Sequence, residues 1–122
     1  ERAFHEALRE VRPGRRACDV GAAVEDAVVK RGFRVVRTLT GHGIGRTIHE
    51  DPTIPNWGDP EHRDWLEEGM VITLEPIICA GNGETYEAED GWTVLSLDGS
   101  LAAHFEHTLV VRKGAPLVLT GT

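Results

Sequence analysis

His42 and His49 lie seven positions apart, with Gly41, Gly43 and Gly45 around the first of them. Glycine carries no side chain and lets backbone approach a reaction centre closely. Three glycines in five positions also disfavour a helix, so the imidazoles are expected on a loop or a broken strand. Two carboxylates stand out further along. Glu75 and Glu106 each fall inside an apolar, strand-forming run, where an unpaired buried charge costs roughly several kcal/mol. Such a group must be paired or bound to a metal. His42, Glu75 and Glu106 are 33 and 31 positions apart and come from three separate elements. One imidazole and two carboxylates form a nitrogen-oxygen set suited to divalent manganese, iron, cobalt or zinc. Bridging carboxylates also hold two metals close together for hydrolysis. His49 is left over as a non-ligand, and a free imidazole beside a metal can donate to a developing oxyanion. The competing readings are an inert histidine pair, a strand-edge salt bridge at Glu75 and a wet sheet face at Glu106.

The elements that must position these groups follow from periodicity. Ala3, Phe4, Ala7, Leu8 and Val11 recur at helical spacing, which predicts a helix from Arg2 to about Arg12, stopped by Pro13-Gly14. It begins without an N-cap residue, as though a segment upstream had been cut away. A second helix is expected after Asp19 as N-cap, with Val20, Ala23, Val24, Ala27 and Val28 as its apolar stripe and Gly32 as its stop. Phe33 to Leu39 reads as a strand feeding the glycine-histidine loop. Thr53 to Pro60 reads as a long loop, and Glu61 to Glu68 as a short solvated helical turn carrying a surface His62. His5 is likewise a surface residue.

Met70 to Ile78 is the next expected strand. Its alternation puts Val71, Thr73 and Glu75 on one face and Ile72, Leu74 and Pro76 on the other, with Pro76 marking an edge or a break. Ala80 to Asp90 is turn-rich, and Asp90-Gly91 makes a tight turn before Trp92 to Leu95. Ala103 to Val111 is a strong strand with His104, Glu106, Thr108 and Val110 on one face. Pro116 to Leu119 closes the chain.

Composition narrows the class. The 122 residues suit one domain, and 40% hydrophobic with 27% charged residues reads as a soluble globular chain. A formal charge of -7 leaves no basic footprint for nucleic acid and disfavours anionic membranes. There is no run of about 18 apolar residues to span a membrane. Cys18 and Cys79 are isolated and read as reduced, buried thiols of a cytoplasmic protein.

The motifs also resemble a known family. Gly41-His42-Gly43-Ile44-Gly45 with His49-Glu50-Asp51-Pro52, Glu68-Gly69-Met70-Val71-Ile72-Thr73-Leu74-Glu75-Pro76, Asp90-Gly91-Trp92-Thr93-Val94 and Ala103-His104-Phe105-Glu106-His107-Thr108-Leu109-Val110-Val111 are similar, in order, to those of the methionine aminopeptidases. The short stretch between His49 and Glu75 points to the type I, bacterial-style branch. The resemblance implies an α+β pita-bread fold, here its C-terminal half, with two N-terminal helices and a mixed or antiparallel sheet. It implies a site for two divalent ions, cobalt, manganese, iron or zinc, and removal of the initiator methionine from a nascent polypeptide at the ribosome. Carried over, His42 is a ligand to one metal. Glu75 is a ligand and the proton acceptor for the attacking water, and Glu106 bridges the two metals. His49 hydrogen-bonds the substrate and steadies the tetrahedral intermediate, and Trp92 lies beside the methionine pocket. Ile48 and His104 depart from the residues frequent at their positions, and both departures are expected to bear on pocket shape, not on the metal.

The resemblance further places two aspartate ligands and a substrate-binding histidine upstream of residue 1. The expectation is a single partial domain, residues 1–122, that needs a missing N-terminal half and lacks peptidase activity by itself. The alternative is a non-catalytic module of the same fold that binds a peptide or a partner.

Overall fold

The computed structural model describes residues 1–121. Helix α1 (Arg2–Ala7) passes into a 3-10 turn at Leu8–Glu10. The helix expected to reach Arg12 is therefore shorter, because Val11 turns extended and buries its side chain. Helix α2 (Ala17–Val29) begins before Asp19, which is not the N-cap. Arg16 takes that place, and Asp19 sits in the first turn, where its carboxylate accepts the Arg16 backbone N–H at 3.2 Å and the guanidinium at 2.8 Å. An acid there also suits the helix dipole. Val20, Val24, Ala27 and Val28 form the buried stripe. Gly21 lies on it because a Cβ there would stand 2.2 Å from the Trp57 carbonyl oxygen, so the helix can seat against the 55–57 segment only without a side chain.

Ten short strands follow: β1 (Arg34–Val35), β2 (Gly41–Gly43), β3 (Glu50–Ile54), β4 (Val71–Leu74), β5 (Ile77–Cys79), β6 (Thr85–Glu87), β7 (Val94–Ser96), β8 (Ala102–His104), β9 (His107–Val110) and β10 (Leu117–Val118). They form a five-stranded sheet in the order β10-β9-β4-β2-β3, a three-stranded sheet β1-β5-β8 and the hairpin β6-β7. Every pairing among the described residues is antiparallel, the second of the two sheet types expected. The helices pack on the larger sheet. Phe4, Val20, Val24, Ile54, Ile72, Leu74 and Leu109 meet in the main core, and Val36, Ile77 and Cys79 form a smaller one. Each such large side chain contributes roughly 1.5–3 kcal/mol by leaving water.

Several expected boundaries move. The Phe33 to Leu39 strand contracts to two residues. The glycine-histidine stretch is a strand at 41–43, because β3 and β4 pair on both sides of it. Residues 61–68 are not helical. Trp65 bridges Arg16, and Leu66 is buried while its backbone N–H donates to the Arg15 carbonyl at 2.8 Å. That anchoring holds the segment extended. Cys18 and Cys79 are free and buried, as expected.

The change that matters most concerns the two long strands. Met70 to Ile78 divides into β4 and β5, and Ala103 to Val111 into β8 and β9. Leu74 pairs with His107 on one side of the gaps and Ile77 with His104 on the other. One continuous antiparallel register thus passes from the large sheet to the small one through a shared break. Glu75-Pro76 and Phe105-Glu106 occupy that break.

Candidate metal centre

The common register sets Glu75 against Glu106, and alternation aims both carboxylates to the same side. Strand β2 lies next to β4, with Gly43 paired to Ile72, and brings His42 to the same place. A bulge between His42 and Gly43 shifts the β2–β3 register, and such a bulge re-aims the side chains around it. Gly43 permits the close approach: a Cβ there would lie 2.1 Å from the Asp51 carbonyl oxygen.

The three predicted ligands converge. Donor atoms of His42, Glu75 and Glu106 all lie within 4.8 Å of one another. His42 Nε2 is 3.4 Å from Glu75 Oε1. His42 Nδ1 is 2.8 Å from the Gly43 carbonyl oxygen. An oxygen acceptor there requires a proton on Nδ1 and turns Nε2 toward the carboxylates. A metal ligand needs this arrangement, with Nε2 forward and the ring held from behind by its Nδ1–H. The donor set of one imidazole nitrogen and two carboxylates therefore fits a divalent transition metal.

Glu75 is only 7% exposed, yet it is not bare. The Thr73 hydroxyl donates to Oε1 at 2.7 Å, and Asn56 Nδ2 donates to the Glu75 main-chain oxygen at 3.0 Å. Thr73 Oγ1 in turn accepts the His42 backbone N–H at 2.9 Å. This chain of bonds ties the ligand on β2 to the ligand after β4. Glu106 is different: its side chain is 43% exposed.

His49 is exposed, and its ring centroid lies 4.3 Å from that of His42, tilted by 57°. A cavity of about 460 Å³ opens beside the pair, lined by Thr40, His42, His49, Glu50, Asp51 and Thr53. Thr47 N–H donates to Glu50 Oε1 at 2.8 Å and steadies the bend that carries His49. Trp92 is 88% exposed at the Asp90–Thr93 turn and does not line this cavity. Ile48 is also exposed. His62 lies between Asp59 and Asp64, and His5 sits on the first helix beside Glu1.

Residue reading from the sequence passed over two participants. Thr73 lies two positions before Glu75 on its face, and His104 two positions before Glu106. The alternation already visible in the sequence places both beside the ligands. His104 Nε2 reaches Glu75 Oε2 at 3.2 Å and Glu106 Oε2 at 3.7 Å, in direct contact with two of the expected ligands.

Comparison with known proteins gives a consistent picture. Residues 1–113 match the model of metallopeptidase family M24. A methionine aminopeptidase of Mycoplasma capricolum is 46% identical over 122 residues, which is 100% of this chain and 49% of that protein. The crystal structure of methionine aminopeptidase from Thermotoga maritima superposes with a TM-score of 0.92 at 39% identity, over 99% of this chain and 49% of that one. That from Rickettsia prowazekii does so with a TM-score of 0.92 at 43% identity, over 98% and 49%. The chain spans about half the length of the relatives it matches. Its α+β architecture is that of the pita-bread fold.

Proposed function

The chain belongs to metallopeptidase family M24, and from that premise we propose that it is the C-terminal half of a type I methionine aminopeptidase catalytic domain. The observation that carries this reading is the convergence of His42, Glu75 and Glu106 at the shared strand break. The likeness to methionine aminopeptidases supports the choice of substrate, an N-terminal methionyl bond, and we further propose that the polypeptide is nascent, at the ribosome in the cytoplasm.

Two divalent ions in the complete site would supply Lewis acidity and a more acidic water. His42 Nε2, Glu75 and Glu106 would hold them. Glu75 takes the proton of the attacking water, and its burial beside Thr73 keeps the accepting oxygen in place. His49 stands outside the ligand set, next to the cavity, where an N–H can reach the substrate carbonyl and the oxyanion that develops from it. Trp92 would wall the methionine pocket once the remainder of the domain lies against the exposed β6–β7 turn. Two aspartate ligands would come from the half that this sequence does not span.

A reconstitution assay tests the reading. The chain is incubated with cobalt or manganese and a methionyl peptide, alone and with the N-terminal half of the Thermotoga maritima enzyme in trans. The expected result is no turnover alone and methionine release with both halves. Turnover by the 122-residue chain alone would overturn the division of the site. Metal binding without turnover in the mixture would favour a binding module.

A further inference from the structure

His104 lies across from Ile77 at the edge of the shared break, two positions before Glu106 and on its face. Its Nε2 stands 3.2 Å from Glu75 Oε2 and 3.7 Å from Glu106 Oε2. His42 Nε2 stands 3.4 Å from the other Glu75 oxygen, Oε1. Each oxygen of Glu75 therefore faces one imidazole. Donors bonded to one divalent ion at about 2.0–2.2 Å sit about 3–4 Å from one another around it. All three separations fall in that range, but His104 stands outside the set of donor atoms that lie within 4.8 Å of one another, so its ring must turn inward to share one ion with His42. Among the described residues the His104 ring has no polar partner besides these two carboxylates. The side chain is 46% exposed, so no packing commits it to another place.

We infer that His104 is a further metal ligand of this site, its Nε2 adding a second imidazole nitrogen opposite His42. The inference rests on the reading of His42, Glu75 and Glu106 as a cation site and goes beyond it. The donor set contributed by this chain becomes two nitrogens and two carboxylates, more complete than the three residues that motif reading supplies. The second nitrogen binds on the exposed side, where Glu106 alone would leave the ion weakly held. It also shifts the set toward ions that prefer imidazole, such as zinc and cobalt, over manganese.

The contrary role is a hydrogen-bond donor that merely steadies the two carboxylates. Glutamine separates the two, because it keeps an N–H at similar reach and is a poor ligand. Cobalt(II) is titrated into the protein and into the variants His104→Gln and His104→Ala. Binding is followed by calorimetry and by the visible absorption of the ion, and imidazoles are counted by X-ray absorption. Far-UV circular dichroism reports folding. The wild type is expected to show two imidazoles per ion. Both variants are expected to show one, with an altered cobalt spectrum and affinity lowered at least about tenfold. His104→Gln is the deciding variant should the alanine form fold poorly. A glutamine variant with wild-type affinity and spectrum overturns the ligand role, and so does a single imidazole in the wild type. Failure of the wild type to bind cobalt at all removes the underlying cation site, an outcome distinct from either.

Discussion

The two halves of the strand break carry the same chemical group in opposite settings. Glu75 is buried, receives the Thr73 hydroxyl at 2.7 Å and is locked from behind through its main chain by Asn56. Glu106 is 43% exposed at the side chain, and His104 Nε2 stands 3.7 Å from its Oε2. One carboxylate is placed by the fold before any ion arrives. On the proposed reading, the other is left for a bound ion to place. A residue that must both bind a cation and accept a proton gains from being held in advance, since small displacements of a reacting group cost rate. The exposed Glu106 side chain keeps the freedom that its proposed role as a ligand would need. The contrast also locates the open side of the centre, toward Glu106, His104 and the exposed β8 strand.

The sharpest way to break this contrast is to remove each carboxylate in turn. Glu75→Ala and Glu106→Ala are both expected to weaken cobalt binding by more than about 100-fold, beyond the loss typical of an outer-shell partner. Their effects on folding should separate. Glu75→Ala leaves the buried Thr73 hydroxyl without its acceptor and is expected to cost about 1–3 kcal/mol in urea denaturation. Glu106→Ala should stay within about 0.5 kcal/mol, as exposed substitutions do. Equal destabilisation by the two would mean that the fold, not the ion, places Glu106.

The placement of His42 rests on backbone proximity, so a change distant from the carboxylates should act through it. Gly43→Ala forces a Cβ to 2.1 Å from the Asp51 carbonyl, a backbone atom that cannot swing away. A cost of about 3 kcal/mol is expected from overpacking, together with weaker cobalt binding because β2 must move. Unchanged stability would show that the β2–β3 bulge absorbs the added atom.

Thr73→Val sharpens the comparison on the buried side alone. Valine keeps the shape but removes both the donor to Glu75 and the acceptor of the His42 N–H. Cobalt affinity should fall roughly tenfold and stability by about 1 kcal/mol. Thr108, opposite Thr73 on β9, is the control position, and Thr108→Val should leave cobalt binding unchanged.

Much of this centre was legible in the sequence, and the reasons are local. Glu75 stood out as a charge among β-branched residues, and Pro76 announced the interruption that follows it. Alternation placed Thr73 with Glu75 and His104 with Glu106. What alternation could not supply was the second break. Phe105-Glu106 contains neither proline nor glycine, and only its pairing with Glu75-Pro76 across the sheet explains the interruption. Strand β3 was hidden for a similar reason. Glu50 to Ile54 contains a proline and two acids, and it is held as a strand by its register with β2. The extended course of 61–68 depends on Leu66 finding the core and on backbone bonds to residues near Arg15. No local signal encodes those partners.

The smallest expected effect concerns a third carboxylate, one that has hydrogen bonds but no burial. Asp90 accepts the Thr93 hydroxyl at 2.5 Å, the Thr93 N–H at 2.8 Å and the Trp92 N–H at 3.0 Å. The Thr93 hydroxyl first, then the two backbone N–H groups, hold its pKa below the ordinary value of 3.8. Since the folded-state pKa is depressed, the bonds contribute stability above the ordinary value, and that contribution is lost as pH falls through the folded-state pKa. The β6–β7 turn should therefore loosen only at pH below 3.8. The Trp92 and Thr93 amide resonances would report it by titrating together with a midpoint under that value. Asp90→Asn should abolish the titration and leave the Leu109 amide, deep in the main core, unmoved. A midpoint at or above the ordinary value would mean that the turn is not closed by Asp90. Trp92 would then be free to swing, and its proposed place beside the methionine pocket would have to be set by the other half of the domain alone.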